Sequence, residues 1–379
     1  QSEKAKHKRK TWSASRLQQW QKCPRQGWLE RRLNAGLMEQ QEEDLDARIR
    51  GDLIHKSLGS LFENVFTMVE GEVRDSTEAT SLANSGQSME NMFSYILDYV
   101  AEHAPWLERD DATAAQRRYD LIGLSKQIWL DWLASSDSGS LSPSGRLGNM
   151  LQAEMRLYNS VPISLEWSLD RMEISHPDGR KMSLTGYIDR VDVLHNPGLQ
   201  AGDESVAPLD WNSSSEWKPK RLIVIRDIKS VDGPSKDHVG DRHRKALFDE
   251  LQLGLYARCW EIANPGDLVV GVGISEVGMK TSHSIEISPA FVDLFEDNGI
   301  GKLTTFTHQT HRFPNEDSEA ESDPFRAWMA ERLTTAFDVA EGAESGLVHA
   351  TPEESTCTWC RVKEACGFAP IVGGDSSWN

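Results

Sequence analysis

The 379-residue chain has no apolar run approaching the about 18 residues that a membrane-crossing helix needs, and no apolar core behind its basic N-terminus to serve as a secretory signal. An intracellular, cytoplasmic protein is therefore expected. Gln1 rather than Met opens the chain, which points to a processed polypeptide or part of a longer one. Internal repeats are missing, so the chain is not a repeat array. It also lacks a Gly-x-x-x-x-Gly-Lys-Ser/Thr loop, so any nucleotide-driven motor must reside on other residues or another chain. Cysteine is scarce, at five residues, and an intracellular chain would not spend them on disulfides. Positive charge is in deficit: 41 Lys and Arg against 59 Asp and Glu leave a net −18. That balance alone argues against phosphate-rich partners, which require local cations.

Local charge tells a different story. Lys4, Lys6, Lys8, Arg9 and Lys10 crowd the N-terminus, and Lys218, Lys220, Arg221, Arg226, Lys229, Lys236, Arg242, Arg244 and Lys245 gather in one later stretch. The acid concentrates at Glu42 to Asp46 and Asn315 to Asp323. Within the basic stretch, Leu222 to Ile225 form a short, mostly β-branched run that reads as a buried strand. Asp227 and Lys229 follow it. Side chains alternate along a strand, so this carboxylate and ammonium point to one side. The bland reading is a salt bridge at a strand end; the alternative is a divalent cation with a polarised water or phosphate.

Three further stretches bear on that choice. Thr185 to Leu194 is a second strand candidate with Asp189 in mid-run, where a charge needs a metal or an ion-pair partner such as Arg190. Gly51-Asp-Leu-Ile-His55 opens a helix through Leu58, Leu61, Phe62 and Val65, with His55 on or near its apolar face. Gln252 and Tyr256, four apart, share a helix face just after the Asp227 strand. In chain order these are Gly-x-x-x-His, Gly-x-x-Asp, Asp-x-Lys and Gln-x-x-x-Tyr. The chain resembles the RecB-type PD-(D/E)XK nuclease family, and the resemblance covers most of its length.

The cysteines extend it. Cys357, Cys360 and Cys366 form C-x2-C-x5-C, and Cys23 stands far upstream in a Cys-Pro step. Cys259, on the apolar Gln252 helix, reads as an ordinary buried thiol. Four thiolates can hold zinc or an iron–sulfur cluster, and spacing alone does not choose. The resemblance does, because RecB-type nucleases with an iron staple (AddB-type chains, CRISPR-adaptation nucleases, some helicase–nuclease C-terminal domains) carry one Cys before the core and three after it. It implies a [4Fe-4S] cluster on Cys23, Cys357, Cys360 and Cys366.

The resemblance further implies an α/β fold, a restriction-endonuclease-like core with a mixed central sheet flanked by helices, a helical insertion and the iron–sulfur staple. It implies Mg²⁺ or Mn²⁺ on His55, Asp189, Asp227 and the Ile228 backbone carbonyl, with Lys229 acting on the reacting phosphate. Gln252 and Tyr256 match the accessory motif, and Glu154 is a possible further acid. The family's usual Glu in the E-x-K element is Asp227 here. The expected activity is metal-dependent cleavage of DNA, single-stranded and exonucleolytic, in repair or recombination, with a helicase as a fused or separate partner and no membrane. The competing readings are a catalytically silent DNA-binding scaffold with a structural cluster, and a zinc- or cluster-based regulatory protein.

Organisation follows composition. Residues 1–60 hold the N-terminal helices, with Cys23 and His55. Residues 61–145 are mainly helical, with a Ser/Thr/Glu/Gly-rich loop at 72–88, an apolar face at Ile128, Trp129, Trp132 and Leu133, and a Ser/Gly/Pro linker at 136–145. The nuclease-like core is expected over 146–345 and the cysteine segment over 346–379. Within the core, strands are expected at Ala153 to Tyr158, Ile163 to Trp167, Leu268 to Ile274 and Ser282 to Ile287. A polar insertion is expected from Asn196 to Pro219, partial helix from Val292 to Thr305, and a helix from Ala327 to Glu341.

Overall fold

The central strand is β5, Arg221–Ser230, in which Leu222, Ile223, Val224 and Ile225 are all wholly buried. Burial of both faces explains why the sequence runs apolar without alternation. In this computed structural model, residues 11–35, 47–65, 68–69, 72–73, 88–135, 141–196, 202–231, 250–295, 299–306, 323–358 and 360–367 are described. The N-terminal basic run, the acidic stretches, Lys236, Arg242, Arg244, Lys245, most of the 72–88 loop and half of the 136–145 linker lie outside them.

The described strands form one sheet in sequence order: β1 (Met68–Val69), β2 (Glu72–Val73), β3 (Ser160–Ser175), β4 (Lys181–Leu194), β5, β6 (Asp267–Val277), β7 (Ser282–Ile287) and β8 (Lys302–Thr305). β5 with β6 and β7 with β8 are parallel, and the other pairs are antiparallel. The sheet is therefore mixed, as expected for the α/β core. The parallel β5–β6 step needs a crossover, and α8 (Gln252–Ala263) supplies it.

The helices before the core are α1 (Ala14–Lys22), α2 (Pro24–Arg31), α3 (Ala47–Val65), α4 (Met89–His103), α5 (Ala112–Ile122), α6 (Lys126–Ser135) and α7 (Gly145–Glu154). Pro24 ends α1 and occupies the first turn of α2, where its missing N–H costs nothing. After the core strands come α9 (Val292–Phe295), α10 (Pro324–Ser345), α11 (Glu354–Thr358) and α12 (Lys363–Cys366). α10 begins where Asp323 accepts the N–H groups of Phe325 and Arg326, and ends at left-handed Gly346.

One large apolar cluster joins Trp20 of α1, Leu58 and Phe62 of α3, Phe93 and Ile96 of α4, Trp129 of α6, Ile223 and Ile225 of β5, Trp260 of α8 and Trp328 of α10. Trp129 and Trp132 are core, stacked at 5.3 Å, whereas Ile128 is exposed. A second cluster packs Ala207 and Trp211, from the supposed polar insertion, against Val224, Val270 and Phe295.

One expectation needs correction, and two hold with wider or narrower bounds. Ala153 to Tyr158 is not a strand: α7 runs to Glu154 and a turn follows, because its apolar residues continue the helical period set by Leu147, Met150 and Leu151. Ile163 to Trp167 is only part of the longer β3, whose bulges after Pro162 and Leu169 break the alternation. The 292–305 stretch divides into the short α9 and strand β8.

Beneath the sheet lies a fully buried ionic network. Arg190 and Arg226 face each other across β4 and β5. Asp192 bridges them, accepting from Arg190 Nε at 2.6 Å and Arg226 Nε at 2.8 Å. Ser160 donates to Asp192 at 2.6 Å, and Glu154 accepts from Arg190 Nη1 at 2.7 Å. Burial alone would raise Asp192, but the two guanidiniums outweigh it and hold the carboxyl below its usual range. Asp192→Ala should lower unfolding free energy by about 3–5 kcal/mol, because it leaves buried Arg226 without its carboxylate and Arg190 with Glu154 alone. Ser160→Ala should cost about 1 kcal/mol. Urea denaturation of both variants checks the ranking.

Candidate active site

The β4–β5 ladder stops at the pair Arg190/Arg226. One position further, the Ile228 N–H is bonded to Asp189 Oδ2 at 2.9 Å. A carboxylate thus takes the place of a ladder acceptor, and the strands part where Asp189 and Asp227 stand side by side. Across β4, the pairs Leu165/Arg190 and Trp167/Ile188 bracket Glu166 opposite Asp189. Glu166 has φ +49°, an unusual conformation for a residue with a side chain. Three acids from three adjacent strands are brought to one level of the sheet.

α3 delivers His55 to the same place. Its Nδ1 lies 2.8 Å from Glu166 Oε1 and its Nε2 lies 3.1 Å from the Ile228 carbonyl. Both ring nitrogens face acceptors, so the imidazole is held as a cation. Burial opposes that charge, but the bond to Glu166 and the charge of Asp189 prevail and raise its pKa. His55, Glu166 and Asp189 offer ligand atoms all within 4.8 Å of one another, the one such group among the described residues. Asp189 is pushed up to about 7, by burial first and then by the charge of Asp227. An imidazole, two carboxylates and a carbonyl gathered in this way are a donor set suited to Mn²⁺ or Mg²⁺.

Asp227 adjoins this group. Its Oδ2 is 2.7 Å from Lys229 Nζ, and its Oδ1 accepts from Gln252 Nε2 at 3.2 Å. The strand-end salt bridge anticipated from the sequence is therefore present, with Asp227 buried and Lys229 part exposed. Burial works against the Lys229 ammonium, and Asp227 more than restores it. Gln252 opens α8, and Tyr256 follows one turn later over Gly186, whose missing side chain makes room: a Cβ there would sit 2.9 Å from the Tyr256 hydroxyl oxygen. Burial, then Asp189 and Asp227, raise the Tyr256 pKa and keep the phenol protonated.

Glu154 is not part of this constellation. It sits in the buried network with Arg190, and its Oε1 is 3.3 Å from His283 Nε2. Arg190, considered from the sequence as a partner for Asp189, pairs with Glu154 and Asp192 instead. Sequence reasoning missed Glu166. The signal was an acid between Leu165 and Trp167 in a strand, and the positive φ that Glu166 adopts leaves no local trace. The cations upstream also fall elsewhere. Lys220 pairs with Glu204 and Arg221 binds Asp267 through two bonds at 2.7 and 2.8 Å, at the end of β5 opposite Asp227.

The first two helices meet the segment around His349 and Thr351. Arg25 N–H bonds His349 O at 3.0 Å, and Thr351 Oγ1 bonds Lys22 O at 2.6 Å, so Cys23 lies beside the C-terminal segment. Burial tends to raise Cys23, but donors from Thr351, Gln26 and Arg25 leave it below the usual thiol range. Cys357 and Cys360 are raised by burial and then by Cys23 and Cys366, or by Glu30 as well for Cys360. The four sulfurs do not draw together as tightly as the His55 group. Cys259 is an inert core thiol, pushed up to about 12 by burial.

A sheet that presents acids and a lysine at the end of a central strand, with a crossover helix contributing Gln and Tyr, defines a nuclease-like core. The sequence profile of the PD-(D/E)XK nuclease superfamily matches residues 11–367, and the chain belongs to that superfamily. A search among curated proteins finds no match to it. No helix among the described residues is long and apolar enough to cross a membrane.

Gly186→Ala should lower the melting temperature and distort the site, and adding Tyr256→Phe should recover part of the loss, because the clash is with the hydroxyl. Thermal melts of the two single variants and the double variant check this. Strictly additive losses would show that the contact is not what Gly186 protects.

Proposed function

We propose that this protein is a divalent-metal-dependent deoxyribonuclease, an exonuclease on single-stranded DNA that serves repair or recombination, alone or as the nuclease part of a helicase–nuclease. The observation that carries the reading is the convergence of His55, Glu166, Asp189 and the Ile228 carbonyl beside Asp227 and Lys229. His55, Asp189, Asp227 and the Ile228 carbonyl would hold Mg²⁺ or Mn²⁺, and Glu166 would add an oxygen or orient His55. A cation bound there supplies Lewis acidity and a water of lowered pKa.

The chain's own groups do the rest. His55 gives up its proton to become a ligand, which makes metal binding pH-dependent. Lys229 steadies negative charge that grows on the phosphate as water oxygen bonds to phosphorus and the bond to the leaving oxygen breaks. Gln252 fixes the free oxygen of Asp227, and Tyr256 closes the site against β4. The Glu154–Arg190 pair supports the sheet from below.

Cys23, Cys357, Cys360 and Cys366 hold a [4Fe-4S] cluster in this reading, a staple for segments that already meet through Arg25–His349 and Lys22–Thr351. The protein purified without oxygen should contain iron in preference to zinc and absorb broadly in the visible. Cys357→Ser should lose the colour and the melting temperature together; a colourless, zinc-loaded, fully active protein would overturn the staple.

Asp227→Ala and Lys229→Ala should each abolish digestion of end-labelled single-stranded DNA while leaving the fold intact. They should fail differently. Excess Mn²⁺ should recover some rate for Asp227→Ala. Lys229→Ala should lose about 10²–10³ in kcat at saturating metal while still binding DNA. Parent-like cutting by both variants would return Asp227 and Lys229 to a salt bridge and the protein to a scaffold.

A further inference from the structure

The row of the sheet that carries the site continues past it. Asp227 pairs with Ile274 of β6, Ile274 with Ser284 of β7, and Ser284 with Lys302 of β8. β5 and β6 end, and β7 and β8 begin, at the same end of the sheet. Three strand spacings separate Lys302 from Asp227, about 14 Å along that end. There the turn after α7, the β6–β7 turn and β8 enclose an open cavity of about 660 Å³. Arg156, Thr281, Ser282, His283, Lys302 and Thr305 line it.

Its chemistry is one-sided. Arg156 and Lys302 are exposed, and among the described residues neither has an ion-pair partner, in a chain of net charge −18. This contrasts with Lys220 and Arg221, which are neutralised by Glu204 and Asp267. One polar atom of the wall, Thr281 Oγ1, is buried without a hydrogen bond. A buried polar atom without a partner is costly, and a ligand that accepts hydrogen bonds would satisfy the hydroxyl. The ring of His283 is held from behind, with Ser275 at 2.8 Å from Nδ1 and Glu154 Oε1 at 3.3 Å from Nε2. Two such cations and a rim of hydroxyls are the groups that recognise a phosphate.

We propose that this cavity binds a backbone phosphate of the same nucleic-acid strand that is cut at Asp227 and Lys229, a few nucleotides from the scissile bond. The assignment rests on the nuclease reading for the identity of the strand. It makes Arg156 and Lys302 positioning residues that set how the strand runs along the sheet end.

The test is the double variant Arg156→Glu/Lys302→Glu, which changes two exposed side chains and should melt like the parent in phosphate-free buffer. Binding of a fluorescent single-stranded 20-mer is followed in chelator across a salt series. Without these two cations to neutralise that phosphate, the slope of log K against log salt should become shallower by about 0.7, and affinity should fall with it. With Mn²⁺, KM for the 20-mer should rise at least several-fold with kcat little changed. The p-nitrophenyl ester of thymidine 5′-phosphate, too short to reach the cavity, should be cut by parent and variant alike.

An unchanged slope and KM would overturn the proposal. So would a parent that binds no DNA. A salt-steep parent that the variant flattens, but which cuts neither substrate, would leave the subsite standing and sink the nuclease reading. If inorganic phosphate raises the melting temperature of the parent only, while the DNA slope is unchanged, the cavity takes free phosphate and the strand assignment fails.

Discussion

The register between β4 and β5 is the constraint on which everything else rests. Arg190 opposes Arg226, so Asp189 and Asp227 fall at the next position, on the other side of the sheet. A slip of one residue would exchange the two sets, placing guanidiniums at the site and carboxylates among buried cations. Asp192 holds the alignment by binding both arginines, and Ser160 binds it from β3. Replacing such a network with apolar residues can stabilise a fold. Its retention here has a plain reading: it specifies one register rather than adding stability.

Where the ladder ends, electrostatics takes over. The Asp189 carboxylate occupies the place of a backbone acceptor on Ile228, and this opens the sheet enough for His55 to enter from α3. The resulting group has too many acceptors for its donors. Burial and Asp227 push Asp189 up to about 7, and Glu166 and Asp189 raise His55, so both groups favour a proton more than usual. Protons thus stand where a divalent cation would bind, and metal uptake would have to release them. Asp227 is restrained separately by Lys229 and Gln252, so its position is set before any cation arrives.

The surface around the site follows the same economy. Lys220 and Arg221, near the site in sequence, are consumed by Glu204 and Asp267, whereas Arg156 and Lys302 stand at the sheet end beside β8. Net charge therefore says little about where an anionic strand would lie. The N-terminal helices also serve the site indirectly: Gln18 of α1 accepts the Leu251 N–H at 2.7 Å, steadying the start of α8 just before Gln252. Bonds from Arg25 and Lys22 to the C-terminal segment hold that helix pair in place.

The sequence by itself determined the buried central strand and which neighbours share a face, Asp227 with Lys229 and Gln252 with Tyr256. Each of these is a short-range pattern: an apolar run, an alternation, a helical spacing. The mixed α/β class and the meeting of His55, Asp189, Asp227, Lys229, Gln252 and Tyr256 came from family resemblance, carried by the order of four short motifs. The tertiary structure alone decided which acids share a face and which cations are neutralised. Glu166 enters because the register sets it opposite Asp189 within reach of His55, while Glu154, an equally plausible acid in the sequence, is drawn under the sheet by Arg190. Arg221 lies six residues from Asp227, yet at the far end of the same strand. Lys302 lies far along the chain, yet falls on the row of Asp227 through three pairings. Side-chain type is local information, but strand register and bulges depend on what packs on both faces of the sheet, and no window of sequence contains that.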